Sequence, residues 1–249
     1  MKSNELLEVI GEAQDSYLLD AKAPKKKSTP MWVKWVAIAA CLAIVLVVSA
    51  PVALPQYQIP LSDKSVGVTA RYTNIPINFG SADSLVYLSE EELFTEFKTA
   101  IFKGTITDIS NIVLDFNGSK NYRAIVEIQI DQVYRGECEI GETVNVLLPC
   151  PVATQFWVSD TETVSKMTVG MTGIFMPMIY DENSMRQENG ATLMLKDIAD
   201  YGFADGNRYA FLDTENGLIF SRTAYESISG VKSLEEIEQY VIMMIEKVS

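Results

Sequence analysis

Tyr122-Arg123-Ala124-Ile125-Val126-Glu127-Ile128-Gln129-Ile130-Asp131 decides the fold: Ala124, Val126, Ile128 and Ile130 fall on one face, and Arg123, Glu127, Gln129 and Asp131 on the other. A period of two is that of a β-strand, whose successive side chains leave the backbone on opposite sides. One apolar and one polar row describe an antiparallel sheet with a single face on a core. Ahead of this strand, Phe102, Gly104 and Ile106 alternate with Lys103, Thr105 and Thr107, and Asn117-Gly118 supplies the turn between the two runs. After it, a turn with Gly141 leads to Val144, Val146 and Leu148, and residues 173–180 form a further buried run. Residues 209–212 and 218–221 flank Asn216-Gly217, a hairpin signal because Asn and Gly tolerate the positive φ angles of tight turns.

Two helices border the strands. Ser89-Glu90-Glu91-Glu92 is a capping box, serine accepting from the third helical amide while the glutamate reaches back, and it opens a short helix through Phe97. Ser233-Leu234-Glu235-Glu236 repeats the pattern, and Leu234, Ile237, Val241, Met244, Ile245 and Val248 share one face of a terminal helix that should pack on the sheet. Met243 and Met244 are expected in that packing rather than in a binding surface. Cys138 sits in a turn and Cys150 at the end of the next strand, too far apart in a simple hairpin for a disulfide, so two free or semi-buried thiols are expected.

Towards the N-terminus, Pro51, Pro55, Pro60 and Pro76 mark an extended stalk, assigned to residues 55–88 ahead of a β-rich domain at residues 89–249. Val66, Val68, Ala70 and Tyr72 alternate within it, as an added edge strand would. Residues 35–54 carry no charge, and about 20 apolar residues give roughly 30 Å of helix, enough to cross a bilayer core. Trp32 and Trp35 at one end and Tyr57 at the other suit the headgroup level, so residues 32–54 are expected to be a transmembrane helix, with Trp32, Trp35, Leu42 and Leu46 among its anchoring residues. A buried core helix would have to hide a segment apolar on every side. Lys22, Lys25, Lys26, Lys27 and Lys34 precede the span against Lys64 and Arg71 after it, which keeps the N-terminus in the cytoplasm and puts the large domain outside the cell membrane. Ile38-Ala39-Ala40-Cys41 has the look of a lipoprotein cleavage box, but the apolar run continues past Cys41; cleavage after Val48-Ser49-Ala50 would place Pro51 beyond the cut. An intact anchor is therefore expected.

The chain of 249 residues has a net charge of −13, yet residues 1–54 carry six basic and five acidic groups, so the remainder holds 14 basic and 28 acidic. An external part this acidic repels nucleic acid and anionic lipid, which removes both as its partners. There is no histidine, and with it go Ser-His-Asp catalysis and imidazole zinc sites. Ser229-Gly230-Val231-Lys232 fits the Ser-x-x-Lys pattern of penicillin-recognising enzymes, but the companion Ser-Asp-Asn and Lys-Thr-Gly elements are missing, and a loop before a helix is the simpler account. Asp181 with Glu182, and Asp197, Asp200 and Asp205, lack the spacing of a calcium loop or the cleft of a glycosidase. No enzyme, cofactor or metal site is expected.

The N-terminal arm, residues 1–31, pairs an amphipathic helix with a basic linker: Leu6, Leu7, Ile10, Ala13, Tyr17 and Leu18 recur at helical spacing. Glu5-Leu6-Leu7-Glu8-Val9-Ile10-Gly11-Glu12, then Tyr17-Leu18-Leu19-Asp20-Ala21, the lysine run and Trp32-Val33-Lys34-Trp35 resemble the front end of single-pass proteins of Gram-positive bacteria, some of them anti-sigma-factor-like. That resemblance implies a cytoplasmic segment holding a sigma factor, with Leu6, Leu7 and Ile10 as the contact residues, although the His/Cys zinc signature of zinc-containing anti-sigma factors is absent. Residues 100–152 are similar in cadence to small extracytoplasmic domains with an OB-like, five-stranded barrel. That likeness implies a fourth strand at residues 170–180 and a fifth at residues 193–195 or 209–212. The expected class is thus α+β: one transmembrane helix, then a mainly antiparallel OB-like β-barrel with flanking helices. Two functions follow, an envelope sensor that regulates through a cytoplasmic sigma factor, or an anchored binding or scaffold module without signalling. The external ligand stays unknown, with Phe156 and Trp157 as contact candidates.

Overall fold

The computed structural model describes residues 57–74, 85–152 and 160–249, with the backbone alone at 80–81 and 157–158. The expected transmembrane helix with Trp32, Trp35, Leu42 and Leu46, and the cytoplasmic helix with Leu6, Leu7 and Ile10, lie outside the described residues. Among the described residues no helix is long and apolar enough to cross a membrane. One compact unit runs Pro55–Ser249.

That unit is mainly β. Its strands are β1 (Gln58–Ile59), β2 (Val68–Tyr72), β3 (Gly80–Ser81), β4 (Ile101–Phe116), β5 (Ser119–Arg135), β6 (Thr143–Leu148), β7 (Trp157–Val158), β8 (Thr172–Phe175), β9 (Met178–Ile179), β10 (Met185–Glu188), β11 (Ala191–Met194), β12 (Tyr201–Gly202), β13 (Ala210–Thr214) and β14 (Gly217–Ile219), with helices α1 (Glu90–Thr95) and α2 (Leu234–Val248). The long hairpin β4–β5 turns at Asn117-Gly118, both at positive φ. From it the main sheet extends as β14-β13-β8-β4-β5-β6-β12-β9. Only Met176-Pro177 separate β8, which pairs with β4, from β9, which pairs with β12, so the sheet curls round towards closure. Bonds from Ala100 N–H to Pro177 C=O and from Ile179 N–H to Lys98 C=O, each 3.0 Å, seal the seam. On the side away from β5, β6 pairs with β12, in parallel. The fourth strand expected at residues 170–180 is divided into β8 and β9, and of the two alternatives for a fifth, residues 209–212 fall in β13, which extends the main sheet beyond β8, whereas Leu193 belongs to the separate β10–β11 hairpin.

Two apolar interiors form on opposite faces of the sheet. Phe102, Ile106, Val126, Ile128, Val146 and Leu148 line the larger one, closed by α2 through Leu234, Ile237, Val241 and Met244. Each such side chain taken fully from water is worth about 1.5–3 kcal/mol. Ile112, Leu114, Phe116, Ile125 and Leu147 line the smaller one, under Ala191, Leu193 and Ile198. One inserted residue separates the two. Ile106 pairs with Ile128 but Asp108 pairs with Glu127, so Thr107 is bulged out of β4. The bulge inverts the in–out alternation, and Ile112, Leu114 and Phe116 point to the face opposite Phe102 and Ile106. The single buried face expected for β5 thus holds at Glu127, Gln129 and Asp131, which are exposed, and fails at Ile125, which is buried among the second set.

Both capping boxes are present, at Ser89 with Glu92 and at Ser233 with Glu236. The alternating residues 68–72, placed by sequence in the stalk, pair as β2 with the distal half of β4. Residues 57–72 therefore belong to the compact unit rather than leading up to it. Cys138 and Cys150 are free and buried.

Candidate functional site

The second interior owes its cover to β10–β11. Asn189-Gly190 turns this hairpin with both residues at positive φ, as Asn117-Gly118 does for β4–β5. The two turns clasp each other: the Asn117 side-chain amide donates to Asn189 C=O at 3.1 Å, and that of Asn189 donates to Phe116 C=O at 3.1 Å and Asn117 C=O at 2.9 Å. Next to them, Glu188 accepts from Ser119 (2.7 Å), Asn121 (2.8 Å) and Arg186 (2.7 Å), which locks β10 to the start of β5. The Ser119 hydrogen bond is the main cause of a Glu188 pKa below the usual carboxylate value.

Between this cover and the sheet remains a pocket of about 180 Å³. Leu114 of β4, Leu147 of β6, Leu195 and Phe203 form apolar walls; Arg123 of β5, Arg186 of β10 and Tyr180 supply the polar groups. Arg123 donates to Pro149 C=O and makes no ion pair among the described residues. Burial, and then repulsion by the Arg186 guanidinium, bring its pKa down to about 10. Arg186 is held by Asn121 at 2.9 Å and Glu188, with its guanidinium 5.5 Å from the centre of the Phe116 ring. Burial pushes the Tyr180 phenol up to about 12 against the pull of both arginines, so it is a neutral hydroxyl at ordinary pH. The tyrosine fits because Gly202 has no side chain; a Cβ there would overlap the Tyr180 ring. Two cations thus line one apolar-walled cavity, and only Arg186 has a carboxylate partner, Glu188, so the arrangement gains from an added anion.

Two larger clefts are open and carry no cation. One of about 570 Å³ is lined by Thr168, Thr172, Asp213 and Glu215, and one of about 430 Å³ by residues 58–61 and 68–70.

Of the acidic groups singled out in the sequence, Asp200 is exposed and the other four have side-chain or backbone partners. Asp181 accepts from Asn183 and Ser184, Glu182 pairs with Lys64 at 3.0 Å, Asp197 accepts from Ser62 and Ser65, and Asp205 pairs with the buried Arg208 at 2.9 Å. No cluster of three or more metal-ligating side chains exists among the described residues. Ser229 donates to Glu226 C=O in the loop before α2, and its own carbonyl accepts from Arg222. The side chains of Phe156 and Trp157 lie outside the described residues.

Sequence reading put Arg123 on the correct face of β5 without giving it a role, and passed over Arg186. The missed signal was Asn189-Gly190, the same dipeptide used at 117 and 216, which announces the hairpin that carries Arg186 over the sheet. No family model matches the chain, and no curated protein or solved structure matches it.

Proposed function

We propose that the chain is a single-pass, membrane-anchored envelope sensor, whose extracytoplasmic β-domain binds a small anion in the Arg123–Arg186 pocket and whose cytoplasmic arm engages a sigma factor through Leu6, Leu7 and Ile10. The observation that carries the binding role is the pair of guanidinium groups facing one cavity in a domain otherwise dominated by carboxylates. The anchor and its orientation rest on the uncharged run 35–54 and its lysine-rich cytoplasmic flank. The β4-β5-β6 meander, β12 parallel to β6 and the return of β8–β9 to β4 support an OB-like barrel. OB-like barrels take ligands across their second and third strands. In this chain those would be β5 and β6, which contribute Arg123 and Leu147 to the pocket. The domain then acts by binding, not by catalysis.

A topology reporter fused after Gln58 of the full chain is expected to be active only outside the membrane; activity confined to the cytosol overturns the placement. Replacing Leu6, Leu7 and Ile10 together by Ala is expected to alter the transcript profile of the cell. An unchanged profile, with the external domain still folded, leaves an anchored binding module without signalling.

A further inference from the structure

We infer that the ligand of this pocket is a short-chain monocarboxylate, an acid about the size of butyrate; the inference rests on the anion-binding role proposed above. Three features select the class. Arg123 and Arg186 contribute two positive charges and Glu188 one negative, leaving a single positive charge for the ligand to neutralise. A dianion such as hydrogen phosphate would be left half unpaired, and a buried unpaired charge is costly. The planar guanidinium fork matches the two coplanar oxygens of a carboxylate.

The walls make the second selection. Leu114, Leu147, Leu195 and Phe203 offer no hydrogen bonds to the outer oxygens of a tetrahedral oxyanion, whereas they receive methylene groups at a gain of about 0.8 kcal/mol each. Size makes the third. The pocket is partly open to solvent, and its volume of about 180 Å³ seats about six non-hydrogen atoms at the roughly 30 Å³ that each water takes in the liquid, a longer chain having to leave the apolar walls for water. Two carboxylate oxygens and four carbons fill it. The carboxylate then lies against Arg123, beside the neutral Tyr180 hydroxyl, with the chain towards Leu195 and Phe203.

Calorimetric titration of the full-length protein in detergent micelles tests this with sodium butyrate, n-butanol, sodium phosphate and sodium sulfate as probes. Butyrate is expected to bind saturably and n-butanol, phosphate and sulfate at least about tenfold more weakly, the worth of one charged hydrogen bond. Arg123→Gln should weaken butyrate by about tenfold or more. Ala204→Leu, which fills the pocket and leaves both arginines in place, should do the same, and it keeps the test decisive if the arginine variant does not fold. Tighter binding of phosphate or sulfate than butyrate, lost in the same variants, overturns the carboxylate assignment and leaves the anion site standing. No binding of any of these anions, or butyrate binding indifferent to both variants, overturns the assignment and the anion site together.

Discussion

Gly202 and Tyr180 form one unit: the phenol occupies the space that a side chain on β12 would need. Gly202→Ala therefore forces the ring, which lines the pocket, to move. Such overpacking typically costs about 1–3 kcal/mol, so a urea titration should show a lowered midpoint with an unchanged slope. An unaltered midpoint would show that the ring is freely displaced. Arg123 illustrates what was legible at this scale. The two-residue period of β5 put its side chain opposite Ala124 and Val126, but the wall it faces includes Tyr180, Arg186, Leu195 and Phe203, from a distant part of the chain. Local alternation carries no information about such a wall, and only the apolar Ile125 on the same side hinted at a cover.

Among the elements, the β10–β11 hairpin is held by its turn, by Glu188, by the backbone bonds between Thr192 and Val66 and by buried Ala191 and Leu193, without joining the main sheet. Asn117 and Asn189 exchange side-chain-to-backbone bonds, and each sits at a φ of 49°, where asparagine is better tolerated than alanine. Asn117→Ala and Asn189→Ala should each destabilise by about 1–2 kcal/mol, and the double variant should fall short of the sum by about 0.5 kcal/mol or more because the two share one clasp. Full additivity in denaturant titrations would show that the turns stand independently. The hairpins turning near Asn117 and Asn216, both capping boxes and the face of α2 with Leu234, Ile237, Val241 and Met244 were read from sequence, since each depends on residues within a few positions of one another, whereas Met243, expected in the same packing, is exposed. The parallel partner of β6 was not readable. β12 is two residues long, and Tyr201-Gly202 has neither the length nor the alternation that marks a strand.

For the molecule as a whole, hydrogen-bonded carboxylates set the response to pH. Glu188 is held below the usual carboxylate value by Ser119 and then by Asn121 and Arg186, and Asp197, against the opposing effect of burial, by Ser65 and Ser62. A carboxylate with a lowered folded-state pKa contributes stability above its unfolded value of about 4 and loses it as pH falls through the folded value. Thermal melts should therefore hold their midpoint from neutral pH down to about pH 4.5 and drop steeply below, with a shallower drop in Ser119→Ala. A midpoint that rises steadily into acid would show that relief of carboxylate repulsion outweighs these bonds. Above this balance stands the bulge at Thr107, the point where one hairpin stops serving the barrel-like interior and starts serving the other. Deleting that residue would turn the distal half of β4 inside out, presenting Ile112, Leu114 and Phe116 to the wrong lobe. A one-codon change at this spot is thus an architectural event, able to add or abolish the whole appended chamber.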